Sequence, residues 1–198
     1  DYRNCIISSV SSISTNEIIR FFKKNNFKVL NISLKNIPKL TQFNYSYKEL
    51  GADRIANTYA AINKYKKNIL IIDFGTATTF DYISNNIYEG GLITSGIYTS
   101  LDSLVEHASK LKKISIIKSK NLIAHNTTES MQSGFYWGYI SLINGIIDKI
   151  MKEIKINPKI ILTGGLAKTF KSEIKYKCFY EPNLTLEGLY LIGTIKYA

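Results

Sequence analysis

Three features of the sequence predict an α/β fold. Ile69 to Ile72 is an unbroken apolar run of strand length, the pattern of a strand covered on both faces. Two more β-favouring runs follow it closely, one from Thr76 through Phe80 and Ile83, the next beyond an Asn85-Asn86 pair suited to a hairpin turn. From Ser95 onward, helical and strand-like periodicities alternate to the end of the chain, the pattern of helices packed on a sheet.

Taken in order, Cys5 to Val10 reads as a first short strand. Ser14 and Glu17 have capping-box spacing, and the helix they open is expected to bury Ile18, Phe21 and Phe22. Asn25-Asn26 closes that helix, and Phe27 to Ile32 is the next strand. Lys35 to Tyr47, with Pro38 and mixed polar residues, reads as irregular, and a helix follows from about Lys48 to Lys66. After the three strands, Ser95-Gly96 precedes a helix through Leu101, Leu104, Val105 and Ala108. Ile114 to Ile117 is expected to form a short strand. Thr127 or Thr128 is placed to cap the longest helix, Glu129 to Ile154, which Asn157-Pro158 ends. Lys159 to Thr163 then forms a strand ending in Gly164-Gly165, followed by a helix and a strand near Tyr176 to Tyr180. The last helix begins after Pro182-Asn183 with Leu186, Leu189 and Ile192 on one face.

Composition narrows the function classes. A hydrophobic content of 45% in 198 residues is enough for a sizeable core, and mean hydropathy lies near zero. No apolar run approaches a membrane span, and the opening residues have no signal-peptide pattern, so no membrane partner is expected. Residue 1 is Asp rather than Met, which reads as a processed product or a fragment. The net charge of +11 invites a nucleic-acid partner, but the lysines are scattered among Asn, Ile and Tyr along the chain. That scatter is a global bias rather than a binding face, and no nucleic-acid partner is expected. Cys5 and Cys178 sit in apolar settings and read as free thiols of a reducing, cytoplasmic compartment. His107 and His125 lack the paired spacing of a zinc site.

Four constellations carry possible chemistry. In Gly51-Ala52-Asp53-Arg54, an acid on a first helical turn could deprotonate a hydroxyl while the Arg holds an anion; an exposed helix-start acid with a solvated neighbour explains the same residues. In Asp73-Phe74-Gly75-Thr76, a strand-end carboxylate could hold a cation, and turn amides with a hydroxyl could bind phosphate; Asp-x-Gly also occurs in ordinary turns. Asn126-Thr127 and the following Glu129 to Gly134 suit an anion at a helix N-terminus, or simple capping. Thr163-Gly164-Gly165 lies at a strand end, where α/β folds bind ligands, and is equally a strand-to-helix turn. No Walker loop, nucleophile elbow or dinucleotide fingerprint occurs.

Three strands in a meander followed by α/β alternation is the order of a ribonuclease-H-like half-domain, the building block of the actin-like ATPases. The organisation expected is therefore duplicated half-domains with the first incomplete: residues 1–67 as the remainder of the N-terminal half plus a linking helix, and residues 68–198 as the C-terminal half. In motif order the chain resembles the type III pantothenate kinases of the acetate and sugar kinase, Hsp70 and actin superfamily. The matching pieces are Leu50 to Asn57, Ile72 to Asp81, Gly90 to Ile93, Asn126-Thr127 through Gly134, Thr163 to Leu166 and Leu184 to Leu189.

The resemblance implies ATP-dependent phosphorylation of pantothenate, the first step of coenzyme A biosynthesis, by a cytoplasmic homodimer. It implies Asp53 as the general base, Gly51, Ala52, Asp53, Arg54 and Thr127 at pantothenate, and Gly75 and Thr76 at ATP with its magnesium. Asp73 is implied as the ligand of a monovalent cation, potassium or ammonium. Departures are visible. Nothing matches the family's opening Asp-x-Gly-Asn-Thr phosphate loop, Ser95 stands where the family has Pro, and Asn44, Ser46 and Tyr47 replace its Tyr-x-Asn-Pro, with Phe43 and Tyr45 adjacent. On this reading the chain is N-terminally truncated. Loss of half a phosphate clamp predicts weak or absent activity for the 198-residue piece, since one preorganised donor alone is worth on the order of a hundredfold in rate. The competing readings are a non-catalytic relative acting as an accessory transcription factor, which the retention of Asp53, Asp73 and Thr76 opposes, and another small-molecule kinase of the superfamily.

Overall fold

The computed structural model describes residues 3–9, 12–39, 41–46 and 49–197. Val10, Tyr47 and Lys48, part of the expectations above, lie outside the described residues. The chain folds as two compact units, one of residues 1–71, 81–91 and 181–198, the other of residues 72–80 and 92–180.

In the first unit, β1 (Asn4–Ile7) and β2 (Lys28–Asn31) form a parallel two-stranded sheet, with Cys5 beside Val29, connected through α1 (Ser12–Lys24). Asn26, at φ 61°, takes the left-handed turn out of the helix. The buried side of α1 is Thr15, with Ile19 and Phe22 half-buried; Ile18 and Phe21 are exposed, at 43% and 63%. The helix starts three residues earlier than the Ser14–Glu17 spacing predicts, which puts its first helical residue at Thr15. A two-residue strand, β3 (Gln42–Phe43), forms within the segment expected to be irregular and pairs in parallel with the strand Ile87–Ser95, Phe43 beside Tyr88. α2 (Ala52–Tyr65) and α6 (Leu184–Tyr197) pack so closely that a Cβ on Gly188 would lie 1.9 Å from the Ala56 carbonyl oxygen. That approach sets the phase of α6: Leu184, Gly188 and Ile192 are buried, whereas Leu186, expected on one face with Ile192, is 64% exposed.

The main sheet runs in the order β3-β6-β5-β4-β7-β8, and β4 (Ile69–Phe74), β5 (Ala77–Ser84) and β6 (Ile87–Ser95) each divide between the two units. Asn85 and Asn86, at φ 47° and 66°, make the two-residue turn between β5 and β6, which needs positive φ at both positions.

In the second unit, β7 (Lys159–Thr163) and β8 (Cys178–Tyr180) pair in parallel, Ile161 beside Phe179. Phe74, Tyr136, Tyr139 and Phe170 form an aromatic core with centroids 5.0–6.2 Å apart. α3 (Ile97–His107) is followed by an irregular stretch, residues 108–126, in place of the strand expected at Ile114 to Ile117. Its polar groups bond to α4 (Thr127–Ile154) instead of to a sheet: Gln132 Nε2 donates to the Ser115 carbonyl, Ser133 Oγ to the Leu122 carbonyl and Trp137 Nε1 to Ser119 Oγ. α4 begins at Thr127, with Asn126 rather than a threonine as its N-cap; the Asn126 side chain accepts the Glu129 N–H at 3.0 Å. Between β7 and β8 only four residues are α-helical, α5 (Ala167–Phe170), continued by a 3-10 turn.

Candidate functional site

The sequence-predicted residues fall in both units, and each group is built by its own local structure. In the first unit, Gly51 is the N-cap of α2 in extended conformation, without a side-chain capping bond, and Asp53 sits in the first turn. The Asp53 carboxylate is half-exposed, and its Oδ1 accepts the Arg54 backbone N–H at 2.8 Å. Arg54, by contrast, is buried at 4% exposure. Its Nε and Nη2 reach Asp81 Oδ1 at 2.8 and 2.6 Å, and Nη2 donates to the Tyr88 hydroxyl at 2.7 Å. Tyr88 in turn donates to the same Asp81 oxygen at 2.7 Å. The half-buried Tyr45 ring lies 5.6 Å from the guanidinium carbon, so one of the two aromatics near Asn44 covers Arg54. Phe43 is buried, tilted on Tyr88 and stacked on Tyr59.

Burial opposes the Arg54 charge, but Asp81, Tyr88 and Tyr45 outweigh it and push its pKa above the usual arginine range. Burial, reinforced by the Asp81 charge, raises the Tyr88 hydroxyl well above the ordinary phenol range, so it stays a donor.

In the second unit, β4 ends in Asp73 and Phe74, and Gly75-Thr76 makes the two-residue connection to β5. Gly75 N–H is satisfied by the Ala77 carbonyl at 3.1 Å. The Thr76 carbonyl accepts both the Gly96 N–H, at 2.9 Å, and the Thr99 hydroxyl, at 2.8 Å, while residues 75–77 remain exposed. Two glycines press against this turn. A Cβ on Gly96 would lie 2.3 Å from the Gly75 carbonyl oxygen and 2.5 Å from that of Thr76. One on Gly164, at φ +89°, would lie 2.5 Å from Asp73 Oδ1 and 2.6 Å from Phe74 N. Backbone therefore approaches the carboxylate and the turn where a side chain would not fit, the arrangement glycine serves in a phosphate cradle. Thr163, the residue before Gly164, is buried at the end of β7.

Thr127 lies in the same unit, exposed at the head of α4, on a cavity of about 760 Å³. His125, Asn126 and Ser130 supply the cavity's polar edge; Leu104, Met131 and Phe135 its apolar side. A few polar groups at the edge of an apolar concavity is the usual makeup of a small-molecule site.

Asp73, Gly75, Thr76 and Thr127 thus share one unit, and Gly51 to Arg54 lie in the other. Sequence reasoning missed Gly96 as a contact of the turn, and missed Asp81 and Tyr88 as the partners of Arg54. The signal for the last was present: Asp81 is a lone acid between Phe80 and Tyr82-Ile83 in a strand otherwise built for burial.

The family model for type III pantothenate kinase matches residues 1–149. The type III pantothenate kinase of Pelagibacter ubique is 42% identical over 193 residues, covering 96% of this chain and 77% of that protein. That of Syntrophus aciditrophicus is 47% identical over 146 residues, covering 73% of this chain and 58% of that protein. In fold, the chain is similar to a protein described as a Baf family transcriptional activator from Campylobacter jejuni, at TM-score 0.64 and 21% identity, over 97% of this chain and 82% of that one. It is also similar to the apo psk41 ParM protein, at TM-score 0.50 and 15% identity, over 97% and 63% of the two chains.

Proposed function

Because the chain belongs to the type III pantothenate kinase family, we propose that it catalyses ATP-dependent phosphorylation of the primary hydroxyl of pantothenate, the first step of coenzyme A biosynthesis. The observation that carries this reading is the 42% identity to the Pelagibacter ubique enzyme across 193 residues.

Asp53 acts as general base toward the substrate hydroxyl. The N–H of Arg54 on Oδ1 orients the carboxylate and leaves the other oxygen to face the hydroxyl. The backbone of Gly51, Ala52 and Arg54 lines the substrate beside it, and Thr127 contacts pantothenate from the edge of the 760 Å³ cavity. Gly75 and Thr76 contact ATP. The turn fits that role: its hydroxyl is exposed, and Gly96 and Gly164 hold backbone where any Cβ would collide. Asp73 holds the monovalent cation, potassium or ammonium, together with neutral oxygens. Magnesium-bound ATP supplies the phosphoryl group and part of the charge neutralisation. The chain's own contribution is mainly positioning, because phosphoryl transfer passes through a loose transition state.

The same reading makes the protein a homodimer in the cytoplasm, with residues 1–67 and 68–198 descending from two half-domains. Both cysteines are free, and no helix among the described residues is long and apolar enough to cross a membrane.

The test is ADP release with pantothenate, a sugar or acetate as acceptor, in the wild type and in Asp53→Ala. Turnover with pantothenate alone is expected, at the low rate anticipated above for the 198-residue chain, and reduced on the order of a hundredfold or more in the variant. Turnover with a sugar or acetate in its place would overturn the substrate, and an unchanged rate in Asp53→Ala the base.

A further inference from the structure

We propose that Asp81 and Tyr88 are positioning residues of this reaction, acting through the Arg54 guanidinium to hold the first turn of α2 and with it the Asp53 carboxylate; this rests on the function proposed above. An arginine next to a reaction base would ordinarily be read as the group that holds an anionic substrate. Here the guanidinium faces inward. Arg54 is 4% exposed, Asp81 and Tyr88 are fully buried, and the Tyr45 ring lies over the guanidinium.

The three polar side chains close on one atom. Asp81 Oδ1 receives Arg54 Nε at 2.8 Å, Arg54 Nη2 at 2.6 Å and the Tyr88 hydroxyl at 2.7 Å. Tyr88 also accepts from Nη2, so its one hydroxyl serves both members of the ion pair. Such a cluster is a weak source of stability, because the cost of desolvating two charges offsets their attraction. Its effect is geometric. Arg54 is the residue whose backbone N–H bonds Asp53 Oδ1, so fixing its side chain fixes the donor that orients the base. The need for that anchor is visible in α2, whose N-cap, Gly51, offers no side-chain capping bond to steady the first turn.

The experiment compares Asp81→Asn, Tyr88→Phe and the triple variant Arg54→Met/Asp81→Leu/Tyr88→Phe, which replaces the whole polar cluster by apolar groups. Each is assayed with pantothenate and with its uncharged carboxamide analogue, alongside the thermal midpoint and hydrogen exchange at the Arg54 amide. Expected in the single variants is a fall in kcat of about tenfold to a hundredfold. KM should stay within about twofold, and the preference for carboxylate over carboxamide should be unchanged. Exchange at the Arg54 amide should quicken about tenfold or more, while amides of residues 58–65 keep their protection. The triple variant should keep a wild-type midpoint and lose kcat.

A triple variant with both the midpoint and kcat of the wild type reduces the cluster to core structure and overturns the proposal. So does loss of carboxylate preference on changing Arg54, which makes it a direct substrate ligand. If the triple variant does not fold, Tyr88→Phe decides, since it leaves the ion pair intact: unchanged kcat and unchanged exchange would sink the idea. Failure of the wild type to phosphorylate pantothenate counts against the proposed function instead, and the Arg54 exchange rate still reports on the anchor.

Discussion

Gly164 shows how one residue can constrain a site. At φ +89° it occupies the left-handed region, and a Cβ there would stand 2.5 Å from the Asp73 carboxylate and 2.6–2.7 Å from backbone atoms of Phe74. Backbone strain and collision act together: the Asp73 oxygen ends a short side chain, but the Phe74 atoms are backbone and cannot turn aside. Gly164→Ala is therefore expected to lower stability by about 1–3 kcal/mol and to raise KM for ATP more than KM for pantothenate. Urea unfolding and the two substrate titrations measure this, and a variant with wild-type stability and kinetics would refute it. The sequence shows Gly164 as a strand-end glycine but cannot show what it touches, because Asp73 is a neighbour only in space. Asp81 is the same case reversed: a lone acid in an apolar strand announces a buried partner, but nothing local names Arg54.

Among the elements, the contact of α2 with α6 depends on the absence of a side chain. Gly188→Ala would put a Cβ 1.9 Å from the Ala56 carbonyl oxygen and 2.5 Å from its carbon, both on helical backbone that cannot rotate away. The helices must separate, at a cost of about 1–3 kcal/mol or more by the usual scale of overpacking. A drop in the denaturant midpoint with an unchanged slope is the expected result; an unchanged midpoint would show that the helices accommodate the methyl group. This contact also explains why the buried face of α6 differs from the one its leucines suggest. Leucine spacing favours Leu186, but a close helix crossing selects the glycine side, and Leu184, Gly188 and Ile192 go inside. β7, by contrast, is legible residue for residue, because Lys159 to Thr163 is bounded by Pro158 and Gly164. Local punctuation is written in the sequence. Ile114 to Ile117 has β-favouring composition, yet its surroundings bond to α4, and composition does not record which partner wins.

For the whole molecule, the question is whether local ion pairs or the overall charge governs stability at high pH. The formal charge is +11, so removing protons from lysines relieves self-repulsion and on that ground should stabilise the fold. The folded chain opposes this where α2 meets the start of α6. Lys64 pairs with Glu181 and Glu187 at 2.7 and 2.6 Å, and the Tyr65 hydroxyl donates to Glu181. Burial, then the bond to Glu181, pushes Tyr65 up to about 12; the hydrogen bonds to Glu181 and Glu187 raise Lys64 despite its desolvation; burial and Asp81 raise Tyr88. In the unfolded chain tyrosine and lysine lose their protons near about 10. Between roughly pH 10 and 12 the folded state therefore binds more protons than the unfolded one, and stability falls as pH rises. The contribution is fully present below pH 10 and is lost as the folded groups titrate. Since these contacts are short and partly shielded while the net charge is spread over the surface and screened, the local pairs should prevail. Thermal midpoints followed by circular dichroism from pH 8 to 12 are expected to fall above pH 10. Tyr65→Phe should make the fall shallower by on the order of 1 kcal/mol, or about 2–4 °C for a chain of this size. A midpoint that climbs through the same range would mean that relief of the positive charge outweighs the contacts between these two helices.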